Sequence, residues 1–134
     1  MKPSGFHLIE ILIVMTLISL MASITFPYYS DYLIKERRFE ASMMLTKLAL
    51  ALEEYHFEHL SYQGATLRLL HFPDYIVHHY YQLAIKASEN TFLISAKPIA
   101  IQAKRDEQCG TLLLTAEGEK KITGNDKITE CWKF

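Results

Sequence analysis

Two different hydrophobic patterns follow one another in the first part of the chain. Residues 6–26 are apolar with few interruptions, and as a helix this run spans about 30 Å, the thickness of the hydrocarbon core of a bilayer. Farther along, apolar residues recur every three or four positions, at Ala41, Leu45, Leu48, Leu52 and Tyr55. That spacing predicts an amphipathic helix with one face turned to a core. Good helix formers dominate both stretches, so we predict one long helix from about residue 6 to about residue 58.

Pro27 lies inside this predicted helix. Proline removes one backbone hydrogen bond and favours a bend, so we predict a helix kink at this position.

The patterns divide the chain into a polar leader at 1–5, a membrane segment at 6–26 and a head at 27–134 that includes the second half of the helix. Three tyrosines follow the apolar run, where aromatic side chains suit the boundary between membrane and water. They are Tyr28, Tyr29 and Tyr32.

The chain after Ser61 changes to short runs in which apolar and polar residues alternate. These runs predict four strands, at about 80–87, 91–97, 111–115 and, more briefly, 120–123. Turn sequences separate them, with Ser88-Glu89-Asn90 after the first and Glu117-Gly118 before the last.

One apolar face of such a sheet needs a partner. Antiparallel strands joined by short turns must cover that face, and the apolar stripe of the long helix is available to do so. The predicted fold is therefore α+β, a long N-terminal helix packed on a small antiparallel sheet of about four strands. In the loop between helix and strands we also expect four residues to pack on the helix, namely Leu67, Leu69, Leu70 and Phe72.

The charges of the chain balance, with 14 Lys and Arg against 15 Asp and Glu. This balance gives no strong basic field of the kind that binds nucleic acid. The nearest candidates for DNA contacts are Lys97, Lys104, Arg105, Lys120, Lys121, Lys127 and Lys133. Acidic residues lie among them and dilute their charge, namely Asp106, Glu107, Glu117 and Glu119.

No pattern in the sequence indicates catalysis or a cofactor. Ser/His/Asp and Cys/His arrangements and glycine-rich phosphate loops do not occur. His56 and His59 lie three apart on the predicted helix and are able to face one metal ion, but no Cys is near them and the pattern singles out no acid as a third ligand. We therefore expect no enzyme activity, no metal site and no cofactor.

The two cysteines, Cys109 and Cys131, lie near the C-terminus. An even number of cysteines beside a membrane-insertion segment fits an exported protein in an oxidising compartment. A disulfide here would close a long loop, whereas the alternative is two free buried thiols. We expect the disulfide, because a small exported head needs an additional covalent restraint.

Glu10 is an ionisable residue inside the predicted membrane segment. Such a side chain costs about 2.5–3.5 kcal/mol on insertion scales and usually has a partner. Residues 6–26 contain no Lys, no Arg and no second acid. Glu10 therefore either reaches the interface, four residues into the run, or pairs with a cation from elsewhere.

A cut between Gly5 and Phe6 would supply that cation. The new α-amine of Phe6 would lie one helical turn from Glu10, within the same chain or on a neighbouring subunit. In an assembly of helices this pairing would fix the register, because a misplaced subunit leaves a charge unpaired. A secretory signal cleaved after the apolar run is the alternative, but the run is long for such a signal and cleavage sequences after it are poor.

The segment Gly5-Phe6-His7-Leu8-Ile9-Glu10, followed by an apolar run and Pro27, resembles the class III signal of type IV pilin precursors. The stretch from Tyr29 to Tyr55 is similar to the PilE-like minor pilins, and so is the ending from Cys109 to Trp132. The resemblance touches the whole chain and is weakest at about 60–79.

This resemblance implies a maturation pathway. Prepilin peptidase would cleave after Gly5 and methylate the amine of Phe6. The mature subunit would wait in the inner membrane with its head in the periplasm. The assembly platform of the inner membrane would then add it, with other pilins, to an extracellular type IV pilus through its N-terminal helix. Cys109 and Cys131 would correspond to the family's C-terminal disulfide, and the implied roles of such a pilus are adhesion, twitching motility and DNA uptake.

The charges around the membrane segment oppose this orientation. The leader has one basic residue, Lys2, whereas Lys35, Arg37 and Arg38 follow the segment. The positive-inside rule would place the head in the cytoplasm. We expect it outside, because the peptidase signal and the cysteines both indicate that side.

Three other functions compete with that of a minor pilin. A pseudopilin of a type II secretion system uses the same anchor, but those of the major type often carry a calcium site in place of the disulfide. A DNA-binding competence pilin would need a basic patch. An unrelated periplasmic protein with a signal anchor would retain its leader.

Overall fold

The computed structural model describes residues 7–133, and the chain divides into two compact units, Met1–Leu33 and Ile34–Phe134. Helix α1 (Leu8–His59) confirms the prediction of one long helix. Its predicted start at Phe6 lies outside the described residues. Pro27 lies inside α1, which is helical on both sides of it, and the predicted kink stays a prediction.

A single antiparallel sheet forms the other layer of the head. Its spatial order follows the chain order, β1 (Tyr75–Ile76), β2 (Tyr81–Ala87), β3 (Phe92–Pro98), β4 (Leu112–Thr115) and β5 (Lys120–Ile122). Strands β2 to β5 correspond to the four predicted strands, with ends that differ by one residue. Strand β1 is additional.

Strand β1 was not predicted because its two residues are too few to show an alternation of apolar and polar positions. It is joined to β2 by a turn in which Val77, His78 and His79 all have positive φ, from 53° to 65°. The left-handed conformation costs each of these residues roughly 1–2 kcal/mol of conformational free energy, so such a turn usually contains glycine or asparagine. The turn is held by tertiary contacts instead, since Ile76 and Val77 are buried in the core.

The core lies between the head half of α1 and the inner face of the sheet. The helix contributes Ala41, Leu45, Leu48 and Leu52, all with no exposed area, as its predicted apolar stripe requires. The sheet contributes every second residue of its strands, so that Tyr81, Leu83, Phe92, Ile94, Ala96, Leu112 and Leu114 are buried. At about 25 cal/mol per Å² of apolar area removed from water, this contact is the main stabilising contribution to the head.

Two short helices were not predicted, α2 (Ala100–Arg105) and α3 (Ile128–Cys131). They have six and four residues, which is too few for a periodic pattern to be recognised. The first residue of α2, Ala100, also has a φ of +53°, a conformation that its sequence does not indicate. Isolated helices of this length are unstable in water, so tertiary contacts decide them.

The loop between α1 and β1 differs in one detail from the expectation. Leu67, Leu70 and Phe72 pack against the core as predicted. Leu69 does not, because its side chain is 53% exposed. Tyr62 and Ala65, for which no role was predicted, are buried there instead.

Candidate functional site

The N-terminal part of α1 presents an uncovered apolar surface. Its large apolar side chains from Leu8 to Phe26 are between 49% and 78% exposed. Among the described residues there is one helix long and apolar enough to cross a membrane, judged by length and composition alone. An apolar surface of this size is stable only against lipid or another protein.

The polar side chains of this segment are adapted to an apolar environment. The hydroxyl groups of Thr16, Ser19, Ser23 and Thr25 each donate to a main-chain carbonyl three or four residues earlier, at 2.7–3.0 Å. No hydroxyl is therefore left without a partner when water is removed. Glu10 remains as the one charged side chain between Leu8 and Phe26.

Glu10 lies in the first turn of α1, where its backbone N–H donates to the carbonyl of His7 at 2.9 Å. A carboxylate at a helix N-terminus is favoured by the helix dipole. Gly5 and Phe6 lie outside the described residues, so the cleavage site, the methylated amine and its pairing with Glu10 stay predictions.

A buried polar network fastens the beginning of the head to the sheet. Arg38 on α1 forms an ion pair with Asp106, which caps the end of α2. Tyr81 on β2 donates its hydroxyl to the same carboxylate at 3.1 Å. Gln102 on α2 donates from Nε2 to the carbonyl of Ile34 at 3.0 Å. The helix α1 is thereby tied to both α2 and β2.

The network is almost closed to water, since Asp106 is 4% exposed and Gln102 has no exposed area. Burial raises the pKa of Asp106, against the opposing effects of the Arg38 guanidinium and of the hydrogen bonds from Tyr81 and Gln102. Burial also raises the pKa of Tyr81, and the nearby charge of Asp106 adds to the rise. A charge in such surroundings is stable only with its partner in place.

Sequence reasoning missed this network. Arg38 and Asp106 are 68 residues apart, and no local spacing links them. The prediction that Asp106 dilutes the charge of the nearby basic residues is wrong, because Asp106 is buried and pairs with Arg38.

Two of the three basic residues that follow the membrane segment, Arg37 and Arg38, have structural roles in the head. The guanidinium carbon of Arg37 lies 3.7 Å from the centre of the Tyr80 ring, a cation–π contact. Arg38 is neutralised by Asp106. Both arginines therefore serve the folding of the head, which accounts for their position without an orientation signal. The orientation itself stays a prediction.

A disulfide joins Cys109 and Cys131, whose Cα atoms are 5.6 Å apart. The loop it closes carries β4, β5 and α3, and both cysteines are buried. Gly124 packs so closely inside the loop that a Cβ there would lie 2.0 Å from the carbonyl oxygen of Gln108. The indole N–H of Trp132 donates to the carbonyl of Lys121 at 3.1 Å. The end of the chain is thus a fixed part of the head.

The two histidines near the end of α1 each stack on a different tyrosine. The ring of His59 stacks on Tyr55 at 4.1 Å, and the ring of His56 stacks on Tyr62 at 4.3 Å. Within residues 7–133, one group of potential metal ligands lies close together, Cys109, Asp126 and Cys131. Its two thiols form the disulfide.

Several candidate basic residues are engaged with neighbours. Lys121 pairs with Glu119 and Lys133 pairs with Glu130, each at 2.9 Å. Lys120 lies 5.4 Å from the centre of the Trp132 ring. These contacts reduce the positive electrostatic potential with which the C-terminal lysines could attract an anion.

A long N-terminal helix whose head half packs on one antiparallel sheet, with a disulfide closing the C-terminal loop, is a type IV pilin arrangement. A family model described as type IV minor pilin ComP, DNA uptake sequence receptor, matches residues 27–113, well over half of the chain. The chain belongs to this family of type IV minor pilins.

The family match begins at Pro27 and ends at Leu113. It covers the head half of α1 and the first strands, and it leaves out the apolar segment and most of the disulfide loop. The assignment of the apolar segment and of the disulfide loop to a pilin therefore depends on their own residue patterns and contacts, not on the family match. A search of individual curated proteins found no match to the chain.

Proposed function

We propose that this chain is a structural minor subunit of a type IV pilus, processed after Gly5 and assembled through its N-terminal helix. The observation that carries the proposal is the uncovered apolar part of α1 with Glu10 as its only charge. Membership of a minor pilin family supports it. Adhesion and twitching motility would be properties of the whole filament.

The segment has to be stable in two surroundings. In the inner membrane its apolar side chains contact lipid, and its hydroxyl groups are satisfied within the helix. In a filament outside the cell, the same side chains would contact the helices of other pilins. Glu10 would then pair with the amine of Phe6 on its own chain or on a neighbour, which selects one register. The disulfide argues against a calcium-dependent pseudopilin of a secretion system.

The first prediction concerns processing. In cells that contain prepilin peptidase, the intact mass of the purified chain should be lower by residues 1–5 and higher by one methyl group. Gly5→Val should abolish both changes, because a side chain at this position blocks access to the scissile bond. Ser4→Ala is the matched control and should be processed normally. Normal processing of Gly5→Val would contradict the assignment of the signal.

The second prediction concerns Glu10. Glu10→Ala should insert into the inner membrane at wild-type level but be depleted on the order of tenfold from sheared filaments, since the register-setting ion pair is lost. The ratio of the subunit in filaments to the subunit in membranes, measured by immunoblot, is the readout. Glu36→Ala removes an exposed acid beyond the membrane segment and serves as control. Equal incorporation of both variants would remove the pairing role.

A second function, DNA binding during uptake, is favoured by two observations together. The matching family is described as a DNA uptake sequence receptor. In addition, the solvent face of the sheet carries Lys86 and Lys97 and no acidic residue at its strand positions. The full-length chain in a non-ionic detergent should therefore bind double-stranded DNA at low salt, with an affinity that falls as salt rises.

A further inference from the structure

A cleft of about 350 Å³, the distal cleft, opens where the last turns of α1 meet the loop that follows the helix. Ala51 and Tyr55 on the helix and Leu69 and Leu70 on the loop give it a largely apolar lining. A volume in this range is enough to hold a small ligand, so the cleft has room for side chains of a partner protein.

Large apolar side chains beside the distal cleft are left in water. Phe57 is 85% exposed and Leu60 is 81% exposed, and they are the two most exposed large apolar side chains in the described residues. They flank Glu58 and His59, which line the cleft. Leu69, on the loop side, is 53% exposed. Apolar surface gathered in this way is typical of a site of protein contact.

The distal cleft also carries negative charge. Glu54 and Glu58 line it, four residues apart on α1, and both are exposed. Among residues 7–133, neither carboxylate has an ion pair or a hydrogen bond, and Arg68 on the loop does not line the cleft. Like charges four residues apart destabilise a helix, so a cation placed between them would be stabilising.

The exposed side of α2 has the complementary character. Ile101 is 49% exposed, and Lys104, one turn later, is exposed as well. Within the described part of the chain, Lys104 has no ion pair. The charges that follow it offset one another, since Asp106 is already paired and the formal charges of Arg105 and Glu107 cancel. This side of α2 therefore offers an apolar side chain and a cation at helical spacing.

The buried network holds α2 in place from its opposite side. Gln102 has no exposed area and donates to the carbonyl of Ile34 at 3.0 Å. Asp106 fixes the end of α2 through its ion pair with Arg38. The backbone that presents the exposed side chains is thus ordered in the single chain. A partner that binds this side of α2 therefore has little conformational entropy to remove from it.

The two surfaces lie at opposite ends of the head. Through Gln102, α2 contacts α1 at Ile34, whereas the helix side of the distal cleft begins at Ala51. At about 1.5 Å per residue, these points are at least about 25 Å apart along α1. One head is therefore unable to close the contact on itself. A contact between α2 of one copy and the cleft of another leaves a free surface at each end, which allows an open row of subunits.

We propose that α2 of one copy of this chain docks in the distal cleft of a second copy. Ile101 packs on the apolar lining and covers Leu69. Lys104 lies between Glu54 and Glu58. This inference rests on the pilus function proposed above, because subunits added in one orientation through α1 place the beginning of one head towards the end of another. It names the contact between the heads.

Charge reversal on each surface tests this contact. The full-length chain is studied in non-ionic detergent at about 50 mM salt and about pH 8, above the range in which histidine usually gains its charge. Sedimentation of the labelled chain measures self-association. The cleft variant, Glu54→Lys with Glu58→Lys, and the α2 variant, Lys104→Glu, should each self-associate on the order of tenfold more weakly than the wild type.

A mixture of the two variants gives the sharper result. The cleft variant keeps a wild-type α2, and the α2 variant keeps a wild-type cleft, so the two chains should associate within about threefold of the wild-type affinity. This recovery also shows that both variants are folded. Association through the apolar segment would not depend on these charges.

Two controls match the reversed charges. Glu89→Lys with Glu117→Lys reverses two exposed acids in the hairpin turns, and Lys127→Glu reverses an exposed base before α3. Both should self-associate within about twofold of the wild type, because isolated exposed charges contribute little.

Photo-crosslinking tests the contact in filaments. A photo-crosslinking amino acid in place of Ile101 should join, in sheared pili, to residues 51–71 of a second copy that carries a different tag. The same replacement of Ile128, which is 45% exposed on α3, should give no such product.

The outcomes separate the contact from the function. If the chain is absent from filaments, the pilus function is overturned and the contact with it. If the chain is present but position 101 joins to another pilin or to another part of this chain, the contact is wrong and the pilus function stands. The contact is also overturned if the wild type does not self-associate in detergent, if charge reversal has no effect, or if the mixture of variants fails to recover.

Discussion

Replacing Asp106 with alanine is expected to lower the free energy of unfolding of the head by about 3–5 kcal/mol. The substitution leaves Arg38, whose side chain is only 12% exposed, without its partner, and it removes the acceptor for the hydroxyl of Tyr81. For a small domain this is a large part of the total stability. Urea unfolding of the full-length chain in non-ionic detergent measures it, with the single tryptophan, Trp132, as the fluorescent probe.

Two comparisons test whether the loss comes from the unpaired charge. Glu107→Ala removes the neighbouring exposed acid and should change the unfolding free energy by less than about 0.5 kcal/mol. The double replacement Arg38→Met with Asp106→Leu removes both charges and should recover most of the loss, because buried ion pairs are often replaceable by apolar residues. A double variant as unstable as Asp106→Ala would show that the network stabilises through its hydrogen bonds instead.

The second large effect is expected from the disulfide. Cys109→Ser should lower the free energy of unfolding by about 3 kcal/mol, because the bond restricts a loop in which the cysteines are 22 residues apart. Trp132 is buried beside Cys131 and reports directly on this loop. Its emission should shift to longer wavelength when the loop opens.

Chemical reduction provides the control for this effect. Wild-type protein treated with a thiol reductant should show the same lowered stability and the same shift as Cys109→Ser, whereas the reductant should leave the variant unchanged. Gel mobility should show the same dependence on reduction. If the reductant changes neither the unfolding free energy, nor the tryptophan emission, nor the gel mobility of the wild-type chain, the stabilising role of the bond is refuted.

Part of the site was readable in advance. The membrane segment and Glu10 can be identified from the sequence because insertion into a bilayer depends on the length and hydrophobicity of one continuous segment. A run of about 20 apolar residues is long enough to span the bilayer, whatever its tertiary contacts. The Cys109–Cys131 pair was expected from the number of cysteines and their context, and the structure joins them. The peptidase signal at Gly5 and Phe6 rests on the sequence alone.

The buried network could not be predicted from the sequence. Arg38 and Asp106 each look like ordinary surface charges, and only the packing of α2 against α1 removes them from water.

The sequence by itself determined the long helix, its division into an apolar and an amphipathic half, and four of the five strands. Each follows from spacings within a few residues of one another, which set the face on which a side chain lies. Tertiary structure alone decided β1, α2 and α3 and the pairing of Arg38 with Asp106. These features depend on contacts between distant residues, and such contacts supply the free energy that short elements and buried charges lack on their own.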